Sequence, residues 1–307
     1  MRTRFEIVLA DEGDPAHLRA AGEEALDEIE QVERRLSAYR PDSDLSYVNA
    51  EAARGPIRVD GALFGFLRRS AALHDQTDGA FDLTVGPLLR CWGFAGGGAP
   101  EAVVPEAAEI ERALALVGQR GNVLLDEAAE TVRFARPGVR LDPGAIGKGY
   151  GIERAAEILR DIGIQSALLH GGTSTVCAIG PHVWNVAVQH PLRPDAHLAT
   201  VALRDRALSV SAVHGKSFRA QGRRFGHVLD PRTGRPAQRS VLAAVVAGSA
   251  TDTDALSTGL LVLGAAGLTT LGERRPDIEM LLAEEDEEGG GLRVEAVGES
   301  IRRDIDE

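Results

Sequence analysis

Cysteine is scarce in this 307-residue sequence, which contains only Cys91 and Cys177. These two residues lie far apart along the chain. A disulfide framework or a thiolate metal site needs several suitably spaced cysteines, so neither kind of structure has the ligands it requires. We expect both cysteines to be buried free thiols.

Basic charge is also in short supply. The sequence has 34 lysine and arginine residues against 46 aspartate and glutamate residues, and its formal net charge is -12 at pH 7. A chain with this excess of negative charge is poorly suited to hold the phosphates of DNA or RNA without regard to sequence. We therefore expect no nucleic-acid partner.

Long apolar runs are missing as well. No stretch approaches the roughly 18 continuous apolar residues of a membrane span. Residues 1–10 lack the apolar core of a signal peptide and run directly into a strand-like alternation. For the chain as written, we expect no membrane insertion and a cytoplasmic location.

What is present is typical of a globular protein: 44% of the residues are hydrophobic and 26% are charged, enough for one large domain or two lobes that share a core. Periodicity predicts mixed strands and helices without an internal repeat. The predicted helices are 17–36, 63–74, 105–117 and 152–162, and the predicted strands are 5–9, a hairpin over 123–134, 139–141, 184–188, 200–203 and 241–246. Loops are predicted for the glycine-rich stretch 92–99 and for acidic residues 284–288 with the three glycines that follow.

Lysine is used at two positions only, Lys148 and Lys216. Lys148 lies in the glycine-rich stretch 142–151, between a predicted strand and a predicted helix, where free N–H groups at a helix start favour a phosphate. Lysine is a compact point charge, which suits a crowded phosphate turn better than the planar fork of arginine. The stretch is therefore a candidate diphosphate cradle, although the same glycines also suit a tight turn.

A histidine precedes an Asp-Pro turn in the segment 225–234. His227 has a reference pKa of about 6.5, which suits a general base that accepts the proton of a hydroxyl nucleophile near neutral pH. The alternative is a β-hairpin with a polar tip, in which His227 is an ordinary surface residue.

A third segment, residues 250–259, places two acidic residues and several hydroxyls before an apolar run. Either Thr251 or Asp252 can cap a helix there, which would put Asp254 and Thr258 one turn apart on one face. A carboxylate and a hydroxyl oxygen suit a hard cation such as Mg²⁺ that also binds substrate phosphates. Helix capping alone would explain one of the aspartates.

Taken together and in this order, the three segments resemble the FAD:protein FMN transferase family, also called the ApbE family. Further motifs of the resemblance occur along nearly the whole chain, at 36–39, 42–45 with Asn49, 77–82, 85–88 and 92–94. The resemblance implies an α+β fold of mixed, largely antiparallel sheets packed with helices in two lobes, T-fold-like and ApbE-type, with a cleft between the lobes. It also implies a single domain over residues 1–307.

Each site residue has a role that the resemblance implies. Mg²⁺ would be bound by Asp254, Thr258 and the backbone carbonyl of Ala145. Lys148 would contact the FAD pyrophosphate. Tyr39 would line the flavin site, and Asp142 would help to hold the nucleotide. Gly144 and Gly147 would let the backbone approach the ligand closely. His227 would be the base that accepts the proton of the acceptor hydroxyl.

The implied reaction moves FMN from FAD to a serine or threonine hydroxyl of an acceptor protein, with release of AMP. Two alternatives stay open: a hydrolase that releases FMN and AMP, and a protein that binds FAD without reaction. The chain departs from many relatives at 171–175, where they have a glycine pair and a glutamate, and at 209–214, where they read Thr-Ser-Gly-Asp. Exported relatives carry a lipoprotein signal, so a start codon upstream of Met1 would change the expected location to the periplasm.

Overall fold

The computed structural model describes residues 3–96, 103–193, 195–213, 215–220, 222–238, 240–286 and 291–304. Its helices are α1 Pro15–Leu36, α2 Asp44–Glu51, α3 Gly61–Gln76, α4 Gly86–Cys91, α5 Ala107–Leu114, α6 Gln119–Asn122, α7 Gly147–Ile162, α8 Ala250–Leu263 and α9 Ala265–Arg274. Its strands are β1 Phe5–Leu9, β2 Ile57–Arg58, β3 Val123–Asp126, β4 Thr131–Phe134, β5 Ala167–Gly171, β6 Thr175–Ile179, β7 Trp184–Gln189, β8 His197–Leu203, β9 Ala207–Ala212, β10 Ser217–Ala220, β11 Arg223–Gly226, β12 Leu229–Asp230, β13 Arg235–Pro236, β14 Ser240–Ala247, β15 Glu279–Glu285, β16 Leu292–Val297 and β17 Ile301–Arg303.

The chain forms two compact units. The first contains residues 1–34, 146–212 and 239–307, and the second contains residues 35–145 and 213–238. Every strand pairing among the described residues is antiparallel. The predicted α+β fold with largely antiparallel sheets is therefore confirmed.

The first unit is built on a seven-stranded sheet with the order β1-β5-β6-β9-β14-β15-β16. Strand β14 is buried at every position, which is why its sequence is a continuous apolar run rather than an alternation. The predicted stripe of α1 packs into the same core as α7, with Ala25 and Ile29 buried beside Ile152 and Leu159. Helix α7 ends at Gly163, whose φ of 97° is a left-handed cap that favours glycine.

The second unit has smaller sheets, β2-β4-β3, β10-β11 and β12-β13. Its core includes an aromatic cluster in which Trp92 lies 5.5 Å from Phe225 between ring centroids. The indole N–H of Trp92 donates a hydrogen bond of 2.8 Å to the carbonyl of Gly234. This bond ties the end of the segment 225–234 to the core.

The predicted strand 139–141 is wrong. The backbone N–H of Leu141 donates to Oδ1 of Asn49 at 2.7 Å, and its carbonyl accepts from Nδ2 of Asn49 at 3.0 Å. The side-chain amide thus satisfies both backbone groups that a neighbouring strand would otherwise pair with. The next backbone N–H, that of Asp142, donates to the carbonyl of Leu83 at 2.8 Å.

The other predicted elements are confirmed with shifted ends. The helix predicted over 152–162 begins at Gly147, and the helix predicted over 105–117 spans Ala107–Leu114. The hairpin over 123–134 is present as β3 and β4. The predicted acidic loop is wrong at Glu284 and Glu285, which end strand β15. Residues 97–99 and 287–290 of the two predicted loops lie outside the described residues. No described helix is both long and apolar enough to cross a membrane.

Candidate active site

The first turn of α7 contains Lys148 and lies directly against α8. The backbone N–H of Gly149 donates to Oδ2 of Asp254 at 3.0 Å. A Cβ atom at position 149 would lie 2.1 Å from the carbonyl oxygen of Ala250 and 2.7 Å from Cβ of Asp254. Glycine is therefore required at this position, because only a residue without a side chain lets the two helices approach so closely.

Lys148 and Asp254 form an ion pair. The Nζ atom of Lys148 lies 3.0 Å from Oδ1 and 3.4 Å from Oδ2 of Asp254. The side chain of Asp254 is 4% exposed and that of Lys148 is 23% exposed, so the carboxylate is buried while the ammonium group reaches solvent. The structure thus brings together the lysine-bearing glycine segment and the carboxylate of the third segment, 106 residues apart in the sequence.

The predicted cap of α8 is wrong, but the predicted spacing is right. Ser249 is the N-cap, and its side chain accepts from the backbone N–H of Asp252, so Thr251 and Asp252 are both inside the helix. Thr258 lies one turn after Asp254 and its hydroxyl donates to the backbone carbonyl of Asp254 at 3.3 Å. That proton assignment, with the Ser211 hydroxyl at 3.1 Å as a donor, leaves one lone pair of the Thr258 oxygen for a cation.

These donors fit Mg²⁺ and do not fit a softer metal. Among the described residues, no group of three or more histidine, cysteine, aspartate or glutamate side chains could hold a metal ion. Mg²⁺ is typically bound by one or two carboxylates and completes its shell with other oxygens, including waters and substrate phosphates. Asp254 and Thr258 would supply a carboxylate and a hydroxyl oxygen. Ala145 belongs to the second unit, and the role of its carbonyl stays a prediction.

In the second unit, Asp142 and Tyr39 form a separate pair. The phenol of Tyr39 donates to Oδ2 of Asp142 at 3.3 Å, and the N–H of Gly144 donates to Oδ1 at 2.9 Å. A Cβ atom at position 144 would lie 3.0 Å from that same Oδ1 atom. The predicted residues Tyr39, Asp142 and Gly144 therefore lie together, whereas Gly147 is the buried first residue of α7 in the first unit.

Burial controls the protonation of this pair. Burial raises the pKa of Asp142, and the Gly144 amide, the Tyr39 phenol and the charges of Arg140 and Lys216 oppose that rise only in part. The pKa of Tyr39 is raised by its burial and by the negative charge of Asp142. Because 61% of Tyr39 is nevertheless exposed, its ring has a face that can contact a ligand.

His227 lies in the second unit, beside Lys216. Its Nδ1 atom is 3.1 Å from the carbonyl oxygen of Lys216. Because a carbonyl can only accept, this hydrogen bond requires the proton on Nδ1 and leaves the lone pair of the neutral ring on Nε2. Nε2 is the nitrogen that a general base would use. The ammonium of Lys216 is directed elsewhere, donating to the carbonyl of Gly96 at 2.9 Å.

Sequence reasoning missed a group of buried hydroxyls behind Asp254. The Thr175 hydroxyl lies 3.4 Å from Oδ1 of Asp254, and the Ser209 hydroxyl donates to that of Thr175. Both residues fall in the two segments where the sequence departs from the family pattern, so the departure itself was the available signal. His214, in the second of those segments, lies outside the described residues.

Comparisons with known proteins agree on one family. The model of the ApbE family matches residues 1–282. A protein of Treponema pallidum named FAD:protein FMN transferase is 31% identical over 285 residues, which cover 87% of this chain and 77% of that protein. The Haemophilus influenzae protein of the same name is 31% identical over 278 residues, covering 86% and 79% of the two chains.

A solved structure extends the similarity to the fold. The crystal structure of the ApbE protein of Thermotoga maritima is 30% identical, covers 95% of this chain and 93% of its own, and superimposes with a TM-score of 0.85. The similarity therefore includes both units of this chain.

Proposed function

Because the chain belongs to the ApbE family, we propose that it is an enzyme that transfers FMN from FAD to a target protein. The curated relatives carry the name of this reaction. The acceptor group would be a serine or threonine hydroxyl, and the reaction would need Mg²⁺. The roles proposed below for single residues are supported by contacts within each unit.

In this reaction the acceptor oxygen attacks the FMN-side phosphorus of FAD. A phosphorus–oxygen bond to the acceptor forms, the bond from that phosphorus to the bridging oxygen breaks, and AMP leaves. The flavin undergoes no redox change. Negative charge is concentrated on the phosphate oxygens, so catalysis depends on positive groups placed near them.

Lys148 would supply one of these positive groups. Its side chain extends from the first turn of α7, where backbone N–H groups also favour a phosphate. The pair between Lys148 and Asp254 is the single observation that carries the proposal, because it places an ammonium group beside the carboxylate of the predicted cation site. Asp254 and Thr258 would hold Mg²⁺, which when bound supplies further neutralisation of phosphate charge.

His227 would accept the proton of the acceptor hydroxyl. The carbonyl of Lys216 holds the tautomer in which Nε2 can take a proton. Tyr39 would line the flavin site with its exposed ring, and Asp142 with Gly144 would help hold the nucleotide.

Two other functions use parts of the same site. If water replaces the acceptor hydroxyl, the enzyme becomes an FAD pyrophosphatase that releases FMN and AMP. If neither nucleophile reacts, the protein is an FAD binder. Asp254, Thr258 and Lys148 together favour the two enzymes, because they would supply both a cation site and an ammonium group for the charge on the reacting phosphate.

One incubation separates the three functions. The protein is mixed with FAD, Mg²⁺ and a peptide containing an Asp-Gly-Ala-Thr acceptor sequence, and the products are measured by mass spectrometry. We expect the peptide to gain the mass of FMN less one water, with one AMP released for each adduct. Free FMN with AMP and an unmodified peptide would indicate the pyrophosphatase, and unchanged FAD would indicate the binder.

A further inference from the structure

A chain of buried hydroxyl groups ends on the carboxylate of Asp254. Thr175 lies 3.4 Å from Oδ1 of Asp254, Ser209 lies 3.3 Å from Thr175, and Thr253 lies 2.9 Å from Ser209, each distance being between oxygen atoms. The three hydroxyl residues are fully buried. They come from β6, β9 and α8, and Thr175 and Ser209 are direct partners in the pairing of β6 with β9.

Each hydroxyl has one proton to donate, which fixes the direction of these hydrogen bonds. An ionised carboxylate can only accept, so Thr175 must donate its one hydroxyl proton to Asp254. Thr175 then accepts the proton of Ser209, and Ser209 in turn accepts from Thr253. Thr253 shares that proton with the carbonyl of Ala250, which lies 3.0 Å away. The Thr175 and Ser209 hydroxyls therefore both point their positive ends toward Asp254, and such aligned bonds strengthen one another.

A second serine on the same face of β9 reaches Thr258. Ser209 and Ser211 are two residues apart in the strand, so their side chains point to one side of the sheet. The hydroxyl of Ser211 is 3.1 Å from that of Thr258 and 3.0 Å from that of Ser257. Ser257 in turn donates to the backbone carbonyl of Asp254 at 3.1 Å.

We propose that Thr175, Ser209 and Ser211 are positioning residues that orient the two side chains of the cation site. Thr175, supported by Ser209, holds the Asp254 carboxylate from the side of the sheet. It has no redox or acid–base role of its own. Ser211 fixes the hydroxyl of Thr258. The inference rests on the proposed function, since it assumes that Asp254 and Thr258 bind Mg²⁺.

The physical reason is the free energy lost when metal binding must order a mobile side chain. A carboxylate that can rotate loses part of its affinity for a metal as it is ordered, whereas one held by hydrogen bonds is already in place. Asp254 is held by the Gly149 amide on Oδ2 and by Thr175 on Oδ1, so both of its oxygens are fixed. Removal of the Thr175 hydroxyl would leave Oδ1 with only the long, flexible side chain of Lys148 as its partner.

The test replaces hydroxyls by groups of similar size. Thr175→Val removes the proton donor and keeps the branched shape, and Thr175→Ser keeps the hydroxyl. The matched control is Thr251→Val, since Thr251 is fully buried in the same helix as Asp254 and its hydroxyl has no hydrogen-bond partner among the described residues. The full-length variants are titrated with Mn²⁺, and the free ion is measured by electron paramagnetic resonance. Melting temperatures show whether each variant is folded. The Mg²⁺ concentration that each variant requires for transfer is also compared.

We expect Thr175→Val to bind Mn²⁺ about tenfold or more weakly, the usual effect of losing a group that orients a metal ligand. Thr175→Ser should bind like the wild type, as should Thr251→Val. Ser209→Ala and Ser211→Ala should show smaller losses in the same direction. The Mg²⁺ concentration for half-maximal transfer should rise in step with the Mn²⁺ dissociation constant.

Two results would overturn the proposal in distinguishable ways. If Thr175→Val binds Mn²⁺ as tightly as Thr251→Val while Asp254→Asn does not bind it, the hydroxyls do not position the ligand and the proposed function stands. If Asp254→Asn binds Mn²⁺ as tightly as the wild type, the cation site itself is wrong, and the positioning role falls with it.

Discussion

Two of the candidate site residues are buried aspartates, Asp254 in the first unit and Asp142 in the second. Their carboxylates have very different hydrogen-bonding and charged partners. Asp254 faces the ammonium of Lys148 at 3.0 Å, an amide N–H and a hydroxyl. Asp142 accepts one amide and one phenol, and the positive charges near it only partly offset its burial, so its pKa is raised. Asp254 has a cation in direct contact, whereas the hydrogen bonds that Asp142 accepts from the described residues come from neutral groups.

This difference between the two carboxylates indicates which ligand chemistry each unit suits. A buried carboxylate that is oriented by hydrogen bonds is a suitable oxygen ligand for a hard cation, and removing its charged partner would leave an uncompensated charge. A buried carboxyl with a raised pKa is closer to the neutral form, which can donate a hydrogen bond to a ligand. These surroundings support our proposal that the first unit carries the phosphate and cation chemistry and that the second recognises the nucleotide.

The largest expected effect is on transfer activity. Asp254→Asn keeps the shape of the side chain and removes its charge, so we expect loss of cation binding and a fall in transfer rate to below about one hundredth of the wild-type rate. Asp252→Asn is the control in the same helix, because Asp252 pairs with Arg275 rather than Lys148. Equal rates for the two variants in the peptide assay would remove the distinction between these aspartates.

The second prediction tests the use of lysine. Lys148→Arg keeps the charge but replaces a point donor with a planar fork in a tight turn, and we expect kcat/KM to fall about 10- to 100-fold. Lys216→Arg should change it less than threefold, roughly the effect of a surface substitution, because the Lys216 ammonium is exposed and bonds a backbone carbonyl. Steady-state kinetics with FAD as the varied substrate would measure both. A Lys148→Arg variant with wild-type kinetics would contradict the assigned role.

The third prediction concerns the contact between α7 and α8. Gly149→Ala places a methyl group against the Ala250 carbonyl, and we expect the free energy of unfolding to fall by about 3 kcal/mol. Gly65→Ala, inside α3, meets nothing within 4 Å, so it should stabilise the protein by about 0.5–1 kcal/mol through helix propensity. Urea denaturation measures both changes, and equal effects would show that the helices do not depend on this close approach.

The smallest expected effect is the pH dependence of stability due to Asp142. Its folded pKa is raised, so the folded state holds the proton more tightly than the unfolded state does, and the resulting stabilisation is lost as pH rises. Between the unfolded pKa of about 3.9 and the folded pKa, the wild type should therefore lose stability relative to Asp142→Asn. Denaturation curves at several pH values above 3.5 test the sign. A wild-type stability that stays constant or rises with pH relative to that of Asp142→Asn would contradict it.

The sequence was sufficient to predict the fold class and the residues that meet in the first unit. The amphipathic spacing of α1 and the apolar run of β14 are properties of burial, which periodicity reports directly. The resemblance implied that Lys148 and Asp254 act on the same pyrophosphate, although not that they form an ion pair. In contrast, the length of α7 was underestimated, because the glycines of its first turn have low helix propensity and start the helix only through packing against α8.

Other features depend on contacts that are distant in sequence. Residues 139–141 have the composition of a strand, but Asn49, about 90 residues earlier, takes their hydrogen bonds. The hydroxyls of Thr175 and Ser209 gain a role only because β6 pairs with β9 and both contact α8. Serine and threonine are too common for such a cluster to be recognised from sequence before the strand register is known.

The most direct test of the account is a crystal structure of the protein with FAD and Mn²⁺, an anomalous scatterer that accepts the same oxygen ligands as Mg²⁺. We predict an anomalous peak at coordination distance, about 2.1 Å for an ion of this class, from a carboxylate oxygen of Asp254 and the hydroxyl of Thr258, with Lys148 Nζ in contact with the pyrophosphate. A metal peak bound by other residues, with the pyrophosphate away from Lys148, would contradict the central claim.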